Sequence, residues 1–222
     1  MLKPKRKITR KEIKRDPFLE TIDKLENSFE KNKKTFLNIV LAIIAGVFII
    51  NFLINKQNQK NIDSNSALGV AMLAFENKDY DNAKFQFESI ISEFQGTTAF
   101  GAANFYLGKI YFESNEFVKS ESFLNAFINT GNTEILYLGA IVMLANIALQ
   151  NSEYDRAVKL LDNGLKKVSK NNNSIELKLL KAHVLKYQGK TDKAKSLLDE
   201  IMLEEKLPRH LKEKIEEYIG MM

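Results

Sequence analysis

The sequence of 222 residues has no cysteine and no tryptophan, only two histidines and only three prolines. Without cysteine there can be no disulfide, no thiolate metal site and no thiol nucleophile. Neither His183 nor His210 stands in a His-Glu-x-x-His or similar pattern, so a metal site is not expected. The glycine motifs that bind phosphates and the Gly-x-Ser-x-Gly nucleophile motif are missing too. We therefore predict a protein that is not an enzyme and has no cofactor and no small-molecule substrate.

A general basic character is also missing, although the formal net charge is +5. Residues 1–35 carry 12 Lys+Arg against 6 Asp+Glu, whereas residues 36–222 carry 21 against 22. The whole basic excess therefore lies in the first 35 residues, and the rest of the chain has no positive field that would attract phosphates. We expect no nucleic-acid partner.

The longest apolar run is residues 36–54, which are 19 residues without a formal charge. As a helix this run is about 28 Å long, close to the roughly 30 Å of a bilayer's hydrocarbon core. Lysines cluster before the run, which places the N-terminus in the cytoplasm. A buried core helix and a cleaved signal peptide are the alternatives. The 35 preceding residues and the polar residues after the run favour an uncleaved transmembrane anchor.

The segments on either side of the run are polar. Residues 1–35 form a basic cytoplasmic tail, in which Asp16-Pro17 predicts a helix start. An apolar stripe follows at Phe18, Ile22, Leu25 and Phe29. The tail is either a helix that lies on the membrane or docks a cytoplasmic partner, or a segment whose charge only sets topology. Residues 55–66 indicate a juxtamembrane linker or the frayed start of a helix.

Residues 67–222 repeat with a constant step of 37 residues. Small residues recur in the first helix of each predicted pair at Ala71, Gly108, Ala145 and Ala182, and in the second helix at Ala83, Ser120, Ala157 and Ala194. Large apolar residues recur at Phe87, Leu124, Leu161 and Leu198, and aromatic residues at Tyr80, Phe117 and Tyr154, with Thr191 in the last repeat. Small residues let two antiparallel helices approach closely, so the pattern predicts four helix pairs. Residues suited to the turns between paired helices stand at Asn77, Asn115, Asn151 and Gly189.

The second repeat carries the cluster Leu107-Gly108-Lys-Ile-Tyr111, and in this it resembles the tetratricopeptide repeat family. The usual first-helix tryptophan is absent, and the period is longer than the family's common one. The resemblance implies an all-α, tetratricopeptide-like helical solenoid of about four helix pairs. Pro208 to Tyr218 predicts a capping helix with Leu211, Ile215 and Tyr218 as its inner face. No strand pattern of useful length is present.

Repeat solenoids bind partners on a concave surface that is made mainly by the first helix of each pair. In this register the surface, here called the predicted groove, includes Met72, Phe75, Phe105, Lys109, Phe112, Asn146, Leu149 and His183. Its first half is apolar and aromatic, which suits an apolar helix or an extended peptide. The alternative is that the juxtamembrane helix or a second copy of the chain fills part of it.

A basic tail, one anchor and an exported repeat domain together resemble the bacterial inner-membrane family typified by YfgM, an ancillary subunit of the SecYEG translocon. This resemblance implies a single-pass inner-membrane protein with its repeats in the periplasm. It also implies that the SecYEG translocon and a periplasmic chaperone are partners. Our first hypothesis is therefore a translocon-associated chaperone adaptor. The alternatives are a scaffold for an envelope or cell-division assembly, and a regulator that acts through its cytoplasmic tail.

Overall fold

The computed structural model describes residues 21–22, 30–130, 134–167, 172–204 and 207–220, without the side chains of residues 172 and 173. The tail features predicted at residues 16–18, Leu25 and Phe29 lie outside these ranges. Nine helices and no strand occur in the described part. They are α1 (Lys33–Glu76), α2 (Tyr80–Glu93), α3 (Thr98–Glu113), α4 (Phe117–Thr130), α5 (Glu134–Gln150), α6 (Tyr154–Lys167), α7 (Asn172–Tyr187), α8 (Thr191–Met202) and α9 (Arg209–Gly220). The all-α prediction is confirmed.

The chain divides into two units, residues 1–58 and residues 59–222. The first unit contains the apolar part of α1, and the most apolar 18-residue stretch of this helix has a mean hydropathy of 2.7. None of that stretch is buried within the chain, in contrast to the core helix of a soluble domain. By length and composition α1 can cross a membrane or serve as a signal sequence.

The polar segment 55–66 is helical throughout and belongs to α1, so it is not an irregular linker. It contains no proline or glycine that would break the helix. Within the second unit, the Lys60 ammonium donates a hydrogen bond to the carbonyl of Gln95 at 2.8 Å. Ser64 is fully buried, and its hydroxyl donates to the carbonyl of Asn61. The second half of the segment therefore packs as part of the repeat domain.

The same turn closes each of the four helix pairs. A residue in the left-handed region recurs every 37 residues, at Lys78, Asn115, Ser152 and Gly189. In the first turn, the N–H of Asp79 donates to the carbonyl of Ala74, and the N–H of Lys78 donates to the carbonyl of Phe75, both at 3.0 Å. The other three turns repeat this pair of bonds. This is the Schellman arrangement, which satisfies the last carbonyls of a helix. In the first and third turns the left-handed residue follows the asparagine that the sequence indicates.

The small and large repeat residues are buried between the helices. All three sets of repeat residues are buried. They are the small first-helix residues Ala71, Gly108, Ala145 and Ala182, the small second-helix residues Ala83, Ser120, Ala157 and Ala194, and the large residues Phe87, Leu124, Leu161 and Leu198. A Cβ atom added at Gly108 would lie 2.7 Å from the side chain of Leu124. The Ser120 hydroxyl donates to the carbonyl of Gly108 at 2.8 Å. The α3 and α4 backbones therefore approach each other where no larger residue fits.

Candidate functional site

The first part of the predicted groove is an aromatic cluster at the junction of repeats one and two. Phe75 is half-buried, and its ring centroid lies 5.8 Å from that of Tyr80, 6.5 Å from Phe87 and 5.2 Å from Tyr106. The Lys109 ammonium lies 5.4 Å from the Phe75 ring centroid, within reach of a cation–π interaction. The structure therefore brings Phe75 and Lys109 together, and it fixes the Phe75 ring from several sides.

Phe105 belongs to the core and not to the groove surface. It is 6% exposed, and its ring meets Phe127 in a T-shaped contact with a centroid distance of 5.4 Å. A Cβ atom added at Gly139 would lie 3.2 Å from the Phe105 ring, so helix α5 closes over this side chain. A partner cannot reach Phe105 without disrupting the contact between repeats two and three.

Tyr106 is the groove residue that the sequence reasoning missed. It is half-buried, and its ring stacks on Phe87 with a centroid distance of 5.6 Å and an interplanar angle of 9°. Burial, followed by the nearby carboxylate of Glu76, raises the pKa of Tyr106. The signal that could have found it is its position three residues before Lys109, which places both side chains on one helix face.

Four more predicted groove residues, Met72, Phe112, Asn146 and Leu149, lie on the first helices of repeats one to three. Phe112 and Leu149 are half-buried and pack against the buried cluster that contains Phe105 and Leu144. The Phe112 and Phe117 ring centroids are 5.9 Å apart. Met72 is half-buried against the cluster that contains Ala71 and Phe87, and Asn146 is half-buried on α5. These side chains leave part of their surface open to a partner on the first helices of repeats one to three.

His183 lies under the closing helix. Its ring meets Tyr187 at a centroid distance of 4.8 Å and Tyr218 at 5.7 Å. Burial, followed by the neighbouring charge of Lys186, lowers the pKa of His183. The hydroxyl of Tyr218 is buried without a hydrogen-bond partner in the described part, and burial raises its pKa. Helix α9 therefore partly covers the first helix of repeat four, and the more open predicted groove residues lie in the earlier repeats.

An open cleft of about 540 Å³ lies between α6, α7 and α8. Its lining includes Asp155, Lys181, Lys190, Asp192 and Glu200, so charges of both signs face it. None of the eight predicted groove residues lines this cleft. Among the described residues no group of three or more His, Asp or Glu side chains is placed to hold a metal ion.

Comparison with known proteins agrees with the repeat packing. The model of a family described as tetratricopeptide repeat-like domain matches residues 27–207, which is most of the chain. No curated protein and no solved structure matches the chain. Given four pairs of helices with one repeated turn and a match over most of its length, the chain belongs to the tetratricopeptide repeat-like domain family.

Proposed function

We propose that this protein is a membrane-anchored protein-interaction module that binds an apolar helix or extended peptide in the first half of its groove. The observation that carries the proposal is the half-buried set of Met72, Phe75, Tyr106 and Phe112, with Lys109 beside it. Apolar and aromatic side chains in a concave site bury a ligand's apolar face, and a nearby cation orients it. The apolar part of α1 supports the anchor.

The role we propose for this module is that of a translocon-associated chaperone adaptor in the bacterial inner membrane. Its repeats would then lie on the periplasmic side, with the SecYEG translocon and a periplasmic chaperone as partners. The excess of lysine and arginine in residues 1–35 supports this orientation. A partially open apolar groove suits brief contact with emerging chains, because apolar contacts do not require one fixed sequence.

A charged substitution in the groove tests the binding role. We expect Phe112→Glu in the full-length protein to weaken the binding of apolar peptides about tenfold or more, because the carboxylate would be desolvated beside Phe117. Val118→Glu is the matched control, since Val118 is 87% exposed and lies outside the groove. Fluorescence anisotropy with a labelled apolar peptide measures both variants. Equal affinity in the two variants would show that the groove is not the binding site.

A structural scaffold for an envelope or cell-division assembly is the second candidate. The contacts that fix the Phe75 ring favour it, because a preformed surface suits one folded partner. Purification of the full-length protein from its membrane in mild detergent, with mass spectrometry of the bound proteins, separates the candidates. Translocon subunits together with a chaperone support the adaptor, and one envelope assembly without the translocon supports the scaffold.

The anchor is tested independently of the groove. We expect the mature protein to retain residues 1–35 and to remain in the membrane pellet after alkaline extraction, because an uncleaved apolar helix inserts stably. Mass measurement of the intact protein gives the first result and fractionation gives the second. A mature chain that begins after residue 54 would show that α1 is a signal sequence.

A further inference from the structure

The face of α1 opposite its packed side carries exposed apolar residues within the second unit. Ile62, Val70 and Leu73 are 60%, 55% and 60% exposed. Ser66 and Gly69 lie between them and are exposed as well, and a Cβ atom added at Gly69 would meet nothing within 4 Å. Helical spacing places these five residues, here called the α1 stripe, on one side of the helix.

The repeats themselves show what such a stripe normally does. Val70 corresponds to Leu107 and Leu144 in the next two repeats, and Leu73 corresponds to Ile110 and Ile147. All four of these residues are at most 5% exposed. In α3 these positions lie in one core cluster with Phe87 and Ile90 from the second helix of the preceding pair. Among the described residues no helix pair precedes repeat one. The α1 stripe is therefore a repeat-packing surface that no described residue covers.

The far end of the array shows how an end is closed. Helix α9 packs on repeat four through Ile215, which is fully buried. The outer side chains of α9 are charged and exposed: Arg209, Glu213, Lys214, Glu216 and Glu217. A second copy stacked head-to-tail would bury these charges against the apolar α1 stripe, and buried charges without partners are costly. A second copy would instead pair stripe against stripe, as a twofold interface requires.

The α1 stripe has the properties that self-pairing needs. Ile62, Ser66, Gly69 and Leu73 follow each other at spacings of four, three and four, which is the heptad seam of a parallel helix pair. The two small residues in the middle allow the backbones to approach closely. The Ser66 hydroxyl already donates to the carbonyl of Ile62 at 3.1 Å, so its burial leaves no unpaired donor.

Charge does not oppose a parallel pair. Asp63 is the only charged residue between positions 61 and 75, and it lies to one side of the seam. Its carboxylate accepts a hydrogen bond from the side-chain amide of Gln59 at 2.9 Å. Two parallel stripes therefore meet without opposed like charges.

We propose that the α1 stripe is a homodimer interface, in which two copies of the chain pair through parallel α1 helices. The inference rests on the anchor part of the proposed function. Anchors in one membrane hold the copies in the same orientation and raise their effective concentration, which favours a parallel pair.

Cysteine cross-linking in the native membrane tests this proposal, and a chain without cysteine gives no background. Full-length Ser66→Cys places a thiol on the seam, and Ser122→Cys places one on an exposed position of α4. After mild oxidation we expect about tenfold more disulfide-linked homodimer from Ser66→Cys, because paired helices hold the two thiols together. Equal yields overturn the proposal. An adduct of Ser66→Cys with a different protein, in place of the homodimer, overturns it as well.

A second pair of variants does not depend on cross-linking. We expect Leu73→Lys to convert the detergent-solubilised dimer into a monomer, because two lysines would face each other at the seam. Phe85→Lys is the matched control, since Phe85 is 68% exposed on α2 and lies off the stripe. Light scattering gives the mass, and circular dichroism checks that both variants stay folded. A dimer that persists in folded Leu73→Lys contradicts the interface.

The same membranes distinguish the dimer from the functions on which it builds. If the protein resists alkaline extraction but Ser66→Cys and Ser122→Cys cross-link equally, the dimer is refuted and the anchor is retained. If alkaline extraction releases the protein into the soluble fraction, the anchor is refuted. The yield of disulfide-linked Ser66→Cys homodimer still tests whether the α1 stripes pair. Phe112→Glu should leave the Ser66→Cys cross-link unchanged, so failure of the groove is seen separately.

Discussion

The second and fourth repeats have the same turn and have small residues at the same positions, but they differ in chemistry at the position of Leu107. The position of Leu107 in repeat two, which is fully buried, is held by Lys181 in repeat four. The Lys181 ammonium lies 2.6 Å from a carboxylate oxygen of Asp162. The turn and the small residues therefore set the geometry of a pair. The position of Leu107 accepts a charge in repeat four because a neighbouring helix supplies a carboxylate.

Lys178, one helical turn earlier, shows a similar difference between repeats three and four. The equivalent position in repeat three is Ile141, which is 1% exposed, whereas the Lys178 ammonium lies 2.9 Å from Glu200 and 3.3 Å from Glu204. Burial lowers the pKa of Lys178, but hydrogen bonds to the two carboxylates outweigh it, and the pKa is raised. Such partly exposed pairs contribute at most about 1 kcal/mol each. Repeat four therefore has salt-dependent contacts at both positions, within its own helix pair through Lys178 and to α6 through Lys181.

The close approach in repeat two gives the largest expected effect. We expect Gly108→Ala to lower the free energy of unfolding by about 1–3 kcal/mol, because the added Cβ atom would overlap Leu124. Ser122→Ala is the control, since Ser122 is exposed on α4, and its replacement should change the free energy of unfolding by at most about 0.5 kcal/mol. Urea unfolding followed by circular dichroism measures both. Equal destabilisation by the two variants would argue against the close packing of α3 and α4.

The repeated turn predicts opposite effects in repeats three and four. We expect Ser152→Gly to stabilise the protein and Gly189→Ala to destabilise it, each by about 1 kcal/mol, because both positions have positive φ. Thermal unfolding of the two variants gives the comparison. Shifts of the same sign would show that the two turns differ in backbone conformation.

Replacing the lysine of repeat four by the leucine of repeat two tests the chemical difference directly. We expect Lys181→Leu to leave the free energy of unfolding unchanged or to raise it by about 1 kcal/mol, because an apolar side chain needs no carboxylate partner. It should also reduce the dependence of unfolding on salt, which is measured by urea titrations at low and high ionic strength. Asp162→Asn is the companion variant and should destabilise, since it leaves Lys181 without its partner. Greater salt dependence in Lys181→Leu would contradict this account.

The histidine of repeat four gives the smallest effect. The pKa of His183 is lowered in the folded state, so the unfolded chain binds the proton more strongly. The stabilising contribution is therefore complete above the ordinary pKa near 6.5 and is lost as the pH falls through and below that value. Melting temperatures of the protein and of His183→Phe between about pH 5 and pH 8 test this. An identical pH dependence in both proteins would exclude His183 as the titrating group.

The sequence predicted the repeat frame well because the frame depends on residue size at fixed spacing. The 37-residue step locates the small residues, the large residues and the left-handed turn position to within one residue. Lys78 and Ser152 were missed because the conformation there is set by the turn's hydrogen bonds, and the residue type carries no signal for it. Proposed roles for the groove residues rest on partner contacts, which size and spacing do not encode.

The groove was harder to predict because α3 is apolar on nearly all sides. Phe105 and Tyr106 are adjacent aromatic residues, so hydrophobic periodicity cannot tell which one faces the next repeat. Contact with Phe127 and helix α5 decides that Phe105 is buried. The sequence left two interpretations of the segment 55–66 open, a linker or the frayed start of a helix, for a related reason. Its contacts, such as Lys60 with Gln95, join residues distant in sequence.

The order of the contacts between helices also has a consequence for the kinetics of folding. Contacts between the described helices join only neighbours and next neighbours along the chain. Such a topology has a low contact order, and each new pair needs only the pair before it as a template. A domain of this kind can fold in the order in which it emerges, starting from α1, so few segments wait unpaired for a distant partner.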